Sequence, residues 1–346
     1  MALICFDGFD AYRSETDLSL YITGTNLIGL LSDTGRYGYG AKTLWVRNRI
    51  ARPIPPTNFV TVGFAHKRQR DPVNGAYDVL NMMFPNVNVD DPYTPQGPFI
   101  KFSDSGIIAG VGLTSSEYTT LAVADPYPRD TWQYVEVQIK IGITDGAVTV
   151  RVDGINQIAL VGVNTQGSGA SMIDRVRFTS SIVSGQSLID DLYICDGSGP
   201  APYNDFLGIC SVRVRTPSAN GDYHDFTPNT AGKQNWEMAF SNDGDTSYNT
   251  ASAIGATDTF TSTSNMVPSG SVVLGLNVKA VVRKDDTADR SAQTILKSGD
   301  TESPGNPRLA TQTYQTLEDL YTTDPATGSG WTAEAVNAVE FGYRIT

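Results

Sequence analysis

The sequence predicts an all-β protein that contains two β-sandwich domains in tandem, and three observations lead to this prediction. Apolar and polar residues alternate along much of the 346-residue chain, which is the periodicity of half-buried strands. The 33 glycines and 18 prolines are typical of many short strands joined by turns. A sustained period of 3.6 residues is absent, and only the segment 333–338 has the spacing of a single helical turn.

The first half of the chain predicts strands separated by long loops. Apolar segments at Leu44–Val46 and Phe59–Phe64 indicate two of the strands. Residues 67–98 carry Asp-Pro and Gly-Pro pairs that mark loops, interrupted by the apolar segment Val79–Phe84. Phe99–Phe102 then continues the predicted sheet.

The clearest local pattern is a hairpin that follows Trp132. Polar residues alternate with apolar ones in both arms, and Thr144–Gly146 forms the turn between them. The hairpin therefore has one buried face and one polar face. The predicted buried row consists of Val135, Val137, Ile139, Ile141, Val148, Val150 and Val152.

A Gly/Ser/Pro cluster divides the chain. It follows a strand in which Leu188, Leu192 and Ile194 share one face and alternation places the neighbouring Asp190 and Asp191 on opposite faces. We therefore expect a first domain at 1–198, a linker at 199–210 and a second domain at 211–346. Pro200 and Pro202 restrict the linker backbone, and we expect Phe206–Leu207 to be anchored by burial between the domains.

The second domain is expected to begin with the strand Ser211–Arg215 and to end with a strand whose apolar residues alternate from Val339 to Ile345. Between them, Ser271–Arg283 predicts one long strand. Its predicted inner row consists of Val272, Leu274, Leu276, Val278, Ala280 and Val282.

Charge and composition exclude several classes of function. The formal net charge of −12 opposes non-specific binding to nucleic acid or to anionic membranes. The first residues lack the basic and apolar regions of a secretory signal, and no apolar run approaches the ~18 residues of a membrane span. We expect a protein without a membrane-inserted segment or a recognisable N-terminal export signal.

Histidine and cysteine offer little for catalysis or metal binding. His66 and His224 are too few for a histidine cluster, and each is expected to be an ordinary loop or edge residue. Cys5, Cys195 and Cys210 lack metal-binding spacing and are expected to be reduced and mostly buried. Whether Cys5 and Cys195 are neighbours depends on whether their strands pair.

Several motifs resemble proteins of tailed bacteriophages. "FDGFDAY", "WQYVEVQIKI" and "GAVTVRVDG" are similar to laminin-G-like, or concanavalin-A-like, domains, and "IDDLYICD" followed by "NDFLGICSVRV" resembles a junction in phage structural proteins. The pattern from "DGDTSY" to "VEFGYRI" resembles C-terminal domains of such proteins. The resemblance implies a jelly roll at 1–198 and a phage-type β-domain at 211–346.

The resemblance implies a non-enzymatic structural component of a phage virion, associated with the tail, baseplate or fibre. Its partners would be copies of itself and other virion proteins, and it would be synthesised in the bacterial cytoplasm. The alternatives are an adhesin that binds host-surface glycan and a head decoration protein. Glycan cleavage is disfavoured because the E-x-D-x-x-E pattern of related glycosidases is missing.

Two segments are candidate binding sites. Tyr37 and Tyr39, in an Arg-Tyr-Gly-Tyr-Gly loop, could stack on a sugar ring, although core packing or an intersubunit contact is the favoured explanation for any single tyrosine of this kind. Asp243 and Asp245 offer closely spaced oxygen ligands for calcium, the one cofactor considered, but lack the spacing of an EF-hand. The competing interpretation of this second segment is an Asx-type turn.

Overall fold

The computed structural model describes residues 3–12, 23–25, 31–36, 38–46, 49–69, 80–84, 97–112, 118–167, 171–180, 186–264 and 266–346. The chain forms two compact units, Met1–Val212 and Arg213–Thr346. Regular structure in the described residues is almost entirely strand, and the helices found there have only five and six residues. The prediction of an all-β fold is confirmed.

The first unit contains two antiparallel sheets. Its strands are β1 (Leu3–Asp7), β2 (Thr23–Thr25), β3 (Leu31–Gly35), β4 (Gly38–Val46), β5 (Arg49–Thr57), β6 (Phe59–Gln69), β7 (Leu80–Met83), β8 (Gly97–Ser103), β9 (Gly106–Gly112), β10 (Tyr118–Val123), β11 (Gln133–Lys140), β12 (Gly146–Val152), β13 (Ile155–Val163), β14 (Ile173–Ser180) and β15 (Gln186–Cys195). Sheet A has the order β13-β12-β11-β6-β15-β4-β3, with β1 also paired to β15. Sheet B has the order β10-β9-β8-β7-β14-β5-β2.

One continuous apolar core lies between these sheets. Val62 and Val137 contribute to it from sheet A, and Ile100 and Phe178 contribute from sheet B. The predicted hairpin lies in sheet A, where Val135 pairs with Val152 and Val137 with Val150. Every member of its predicted buried row is buried, so alternation correctly identified the core face.

The second unit consists of a larger sheet and two ribbons. Its strands are β16 (Ala219–His224), β17 (Thr227–Pro228), β18 (Asn249–Thr250), β19 (Thr257–Thr261), β20 (Leu276–Val282), β21 (Ser291–Ser298), β22 (Thr301–Pro304), β23 (Arg308–Leu309), β24 (Gln315–Tyr321) and β25 (Glu340–Ile345). The helices are α1 (Asn235–Ala239) and α2 (Ala333–Ala338). The sheet has the order β16-β19-β25-β21-β22 with β23 on β21, and the ribbons are β17–β18 and β20–β24.

The predicted helical turn at 333–338 is helix α2. Thr332 begins it, because the Thr332 Oγ1 accepts a hydrogen bond from the Ala335 N–H at 3.1 Å. Val336 packs into an apolar cluster with Trp331, and the Trp331 indole N–H donates to the Tyr321 carbonyl at 3.0 Å. None of the helices in the described ranges is long and apolar enough to cross a membrane.

Two predicted strands of the second unit differ in the structure. Ser211–Arg215 is irregular, and the Arg215 guanidinium donates to backbone carbonyls of residues 262, 264, 336 and 337. The predicted strand 271–283 begins only at Leu276, because its partner β24 pairs with Leu276–Val282 alone. Val272, predicted to face inward, is 86% exposed.

Candidate functional site

The outer face of sheet A, opposite the core, carries an unusual set of buried polar side chains. Because Val135 and Val137 of β11 take the core side, Glu136 points away from the core, yet it is only 1% exposed. Tyr193 of β15 lies beside it, and the Tyr193 hydroxyl donates to Glu136 Oε1 at 2.5 Å. Gly63 makes room for this tyrosine, since a Cβ there would lie 2.0 Å from the Tyr193 ring.

The connecting segment, residues 199–212, covers this face. The Gly208 N–H donates to Glu136 Oε1 at 2.8 Å, and the Leu207 N–H donates to the Tyr193 hydroxyl at 3.1 Å. Phe206 is half-buried, with the Arg151 guanidinium 3.9 Å from its ring centroid. The predicted linker is therefore packed on the first unit by backbone hydrogen bonds and by an aromatic side chain.

A second set of contacts binds the end of the connecting segment to an aspartate pair. Strand β15 has a bulge after Asp190, and Asp191 has a left-handed backbone with φ of 51°. The Arg36 N–H donates to Asp190 Oδ2 at 3.3 Å, and the Arg36 guanidinium lies 2.6 Å from Asp191 Oδ2. Asp191 Oδ1 also accepts from the Val212 N–H at 2.7 Å.

Asp190 and Asp191, which we expected to point to opposite faces, both contact Arg36 at this bulge. Asp190 accepts from the Arg36 backbone N–H and Asp191 from its guanidinium, so the two carboxyl groups bind different atoms of one residue. The Arg36 guanidinium also donates to the Cys210 carbonyl at 3.3 Å and lies 5.5 Å from the centre of the Tyr134 ring. Arg36 thus connects β15 with the connecting segment.

Burial determines the electrostatics of this face. Burial, with the neighbouring charge of Asp191, raises the pKa of Asp190 to about 8. Burial also raises the pKa of the Cys210 thiol to about 11, and burial together with Glu136 holds the pKa of Tyr193 far above its usual value. The tyrosine and the thiol therefore stay protonated at neutral pH.

The chemistry of this face suits the binding of backbone better than catalysis. Glu136, Asp190 and Asp191 are each at most 3% exposed. Glycoside cleavage needs two carboxyl groups on either side of an accessible bond. Glu136 Oε1 and both oxygens of Asp191 instead accept from the chain's own donors.

A second polar group, the end cluster, consists of His66, Arg68, Asp104, Tyr127 and Arg129. His66 and Arg68 continue the inward row of β6 and are fully buried. The Tyr127 ring stacks on His66 with 5.2 Å between ring centroids. Arg68 lies 3.0 Å from Asp104, which is 45% exposed and also lies 2.7 Å from the half-exposed Arg129. The cluster thus extends from the interior of the sandwich to its surface.

His66 is not the loop or edge residue that we expected. It lies in β6, the central strand of sheet A, and neither ring nitrogen has a hydrogen-bonding partner among the described residues. Burial, with the nearby Arg68 charge, lowers the pKa of His66 to about 3, so the ring is neutral. The His66 ring packs among aromatic side chains, with the ring centroids of Phe64 and Phe102 at 6.0 and 5.6 Å from its own. His224, in contrast, is exposed at the end of edge strand β16.

The side chains of the two tyrosines predicted for sugar binding are outside the part of the chain that the structure describes. Tyr37 lies outside the described residues, and the side chain of Tyr39, on strand β4, also lies outside them. Their role stays a prediction. The same loop contributes Arg36, whose part in the aspartate contacts the sequence did not reveal.

The candidate calcium ligands contact protein donors. Asp243 Oδ1 accepts from the Ser247 N–H at 2.9 Å, a local side chain to backbone contact over four residues, where an Asx-type turn spans two. Asp245 Oδ1 accepts from the Arg283 guanidinium and the Tyr314 hydroxyl, both at 2.7 Å, and these contacts lower the pKa of Asp245. Within the described ranges, no group of three or more His, Cys, Asp or Glu side chains is placed to hold a metal ion.

The first and last strands of the first unit pair, which brings two cysteines onto neighbouring strands. Cys5 of β1 lies opposite Ile194, next to Cys195 on β15. Both side chains are buried thiols, and burial raises the pKa of Cys195 well above that of an exposed thiol. The terminal strands β1 and β15 therefore pair, and Cys5 and Cys195 lie on neighbouring strands.

Sequence reasoning identified the polar row that contains Glu136 but not its role. Alternation placed Glu136 on the outer face of the hairpin, where a solvated side chain is the usual outcome. Its contact with Gly208 joins residues 72 positions apart, and a backbone donor leaves no signal in side-chain identity. The adjacent acidic pair after Ile189 was the one visible signal, because two acids in a buried strand require partners.

No family model matches the sequence, and no curated protein matches it. Among solved structures, the chain is similar to the potassium-bound Emp46p carbohydrate recognition domain, with 8% identity and a TM-score of 0.40 over 56% of this chain and 96% of that one. It is also similar to the carbohydrate binding module CBM66 from Bacillus subtilis, with 11% identity and a TM-score of 0.34 over 49% and 92%. Alginate lyase Aly36B gives 13% identity and a TM-score of 0.36 over 56% and 95%. At these values the similarities carry no inference about activity.

Proposed function

We propose that the protein is a non-enzymatic structural component of a tailed-bacteriophage virion, associated with the tail, baseplate or fibre. It acts through contacts with copies of itself and with other virion proteins. The motifs that resemble phage structural proteins support the class. The packing of the connecting segment on sheet A is the structural observation that carries the proposal.

The hydrogen bonds between the connecting segment and buried carboxylates of sheet A support an assembly role. Glu136 and Asp191 are buried, and their carboxylate oxygens accept from the backbone N–H groups of Gly208 and Val212. A buried carboxylate is costly unless it is hydrogen-bonded, so these contacts hold the segment at one position. A structural subunit benefits from such rigidity, since it must present its surfaces in a constant geometry.

Immunogold electron microscopy of purified particles tests this proposal. Antibodies raised against the recombinant protein should label one substructure, the tail or its tip. Antibodies against a host cytoplasmic protein provide the control for contaminating material. Label on lysate debris but never on particles would contradict the proposal, and label on heads alone would favour a head decoration protein.

A glycan-binding adhesin is the second candidate, and the end cluster favours it. Asp104 and Arg129 are about half exposed and present a carboxylate and a guanidinium side by side. Such groups bind pairs of sugar hydroxyls through directional hydrogen bonds. In the same cluster, the buried Tyr127 hydroxyl has no hydrogen-bonding partner within the described part of the chain.

A glycan array compared between the intact protein and an Asp104→Ala/Arg129→Ala variant tests this second function. Binding that the double substitution abolishes would support it. The matched control is Lys140→Ala/Asp145→Ala, which removes another exposed ion pair of the same unit. Absence of binding to any glycan, or equal loss in both variants, would count against a glycan site in the end cluster.

A further inference from the structure

Residues 124–132, which we call the strap, connect strands β10 and β11 and carry Tyr127 and Arg129 of the end cluster. The strap contains no helix or strand, and of its residues, all of which the structure describes, Tyr127 alone is buried. Pro126 and Pro128 flank this tyrosine and contribute no N–H groups. One side chain therefore anchors the strap in the sandwich, which is typical of a segment that opens locally.

The backbone hydrogen bonds of the strap lead back to the end cluster. The Tyr127 N–H donates to the Ser103 carbonyl at 3.3 Å, and the Asp130 N–H donates to the Arg68 carbonyl at 2.8 Å. The Arg68 guanidinium donates to the Tyr127 carbonyl at 3.3 Å. The amides of Tyr127 and Asp130 therefore report whether the strap is closed, because they exchange with solvent only when these bonds open.

Beneath the strap, His66 is buried in surroundings that do not accommodate a proton. Its exposed fraction is 0%, and both ring nitrogens lack a hydrogen-bonding partner within the described ranges. The Tyr127 ring stacks on the imidazole. A protonated imidazole has two N–H donors, and burying an unpaired charge is costly. Protonation of His66 therefore requires the ring to reach water.

The charged groups around His66 oppose protonation in the closed state. Arg68, on the same strand, is also fully buried and places a positive charge near the ring. Asp104, in the turn between β8 and β9, pairs with Arg68, and Asp153 interacts electrostatically with Tyr127. The residues without charge at neutral pH that contact His66 or pair with it are Phe64, Phe102, Tyr127, Gln133 and Ile189.

We infer that acid opens the strap: protonation of His66 displaces the Tyr127 ring and releases residues 124–132 while both sheets stay folded. Burial and the Arg68 charge lower the pKa of His66 to about 3 when the strap is closed, against 6.5 for an ordinary histidine. Between these values the open state binds a proton that the closed state does not bind. A fall in pH from 6.5 towards 3 therefore shifts the equilibrium to the open state.

Asp104 acts in the same direction at lower pH. The hydrogen bond from Arg129 holds the pKa of Asp104 below its ordinary value of 3.8, and Arg68 contributes to this shift. Its stabilisation of the closed state is present above pH 3.8 and is lost as the pH falls through the lowered pKa. Protonation of Asp104 weakens its ion pair with Arg129 of the strap. His66 therefore controls the opening between pH 6.5 and 4.

This device goes beyond both proposed functions and depends on neither of them. It requires no virion and no glycan, so it is tested on the isolated full chain. Failure to find the protein in particles, or to detect glycan binding, would leave the inference standing. Failure of the strap to open would equally leave both proposed functions untouched.

Hydrogen exchange of the full chain at pH 7 and pH 4.5, corrected for intrinsic rates, tests the inference. Linkage predicts that the protection of the Tyr127 and Asp130 amides falls by about 50- to 100-fold between the two pH values. This protection should stay lower than that of β6 and β11 and should not change in low urea, because local opening exposes little surface. Strap amides with pH-independent protection would overturn the inference. So would strap amides that share the protection and urea dependence of β6, because their exchange would then follow global unfolding.

Matched substitutions assign the effect to one histidine. His66→Phe keeps an aromatic ring and should reduce the change in strap protection to less than about threefold, since the ring no longer titrates. His224→Phe removes the exposed histidine of edge strand β16 and should retain the full change. A full change that persists in His66→Phe would overturn the inference.

A second variant keeps the test decisive if His66→Phe folds poorly, as judged by circular dichroism. Tyr127→Ala removes the anchor of the strap, so the Asp130 amide should already exchange at least tenfold faster at pH 7, with little further change at pH 4.5. Wild-type protection of the Asp130 amide in Tyr127→Ala would show that this side chain does not hold the strap and would overturn the inference.

Discussion

At the scale of single residues, Glu136 shows how a charged side chain comes to be buried on the outer face of a sheet. Its Oε1 atom accepts from the Tyr193 hydroxyl and the Gly208 N–H, while Oε2 is buried without a hydrogen-bonding partner in the structure. Both of these hydrogen bonds therefore go to Oε1. A glutamine at position 136 would keep an oxygen that can accept them.

Glu136→Ala should lower the free energy of unfolding by about 2–4 kcal/mol, because two buried donors lose their acceptor. Glu136→Gln should cost clearly less, since the amide oxygen can accept from the same donors. Urea denaturation followed by tryptophan fluorescence compares the two variants with the wild type. Equal losses in both variants would show that charge, not the acceptor position, stabilises this face.

His66 makes the stability of the protein sensitive to acid. The pKa of His66 is lowered to about 3 in the folded protein, against 6.5 for an ordinary histidine. Between these values the unfolded chain binds a proton that the folded chain does not. This residue therefore lowers stability as the pH falls from 6.5 towards 3.

His66→Phe should remove this part of the acid sensitivity, since a phenyl ring fits the aromatic surroundings and does not titrate. At pH 7 the free energy of unfolding should change by about 1 kcal/mol or less, as for other swaps of similar volume. At pH 4.5 the variant should exceed the wild type by about 2 kcal/mol. Denaturation at both pH values measures the difference. A constant difference between the two proteins would mean that His66 is not neutral when folded.

At the scale of elements, the connecting segment behaves as part of the first unit. Phe206 was expected to be anchored by burial, and the structure places it half-buried against Arg151. The same segment supplies the N–H groups of Leu207, Gly208 and Val212 to side chains of sheet A. It should therefore melt together with that sheet.

Phe206→Ala should lower the stability of the first unit by about 1–2 kcal/mol, less than for a fully buried phenylalanine. The variant should also be cleaved faster by protease within 199–212, because the segment detaches more often. Tyr203→Ala, a truncation of another half-buried aromatic in the segment, provides the comparison. Unchanged stability together with unchanged cleavage would mean that Phe206 does not hold the segment.

Elements with one buried face could be predicted from the sequence, and those held by side chain to backbone contacts could not. The hairpin of β11 and β12 and helix α2 follow directly from local patterns, because alternation and capping act within a few residues. Ser211–Arg215 alternates like a strand, yet none of the strands in the described part of the chain includes it. The bulge at Asp191 likewise breaks the alternation on which the prediction relied.

At the scale of the whole molecule, buried acidic side chains of the first unit hold the chain's own backbone in place, since Glu136 accepts from the Gly208 N–H and Asp191 from the Val212 N–H. We propose that this rigidity serves assembly into a larger particle. The functional assignment depended on motif resemblance more than on composition, since composition alone fits many β proteins. The candidate sugar and calcium residues remain predictions for experiment.

The copy number of the protein in purified phage particles decides whether it is a structural part of the virion. Quantitative mass spectrometry against a known capsid or tail protein provides the ratio. The account predicts a constant number of copies above one per particle, retained through density-gradient purification. A ratio that falls towards zero as the particles are purified would contradict a structural role in the virion.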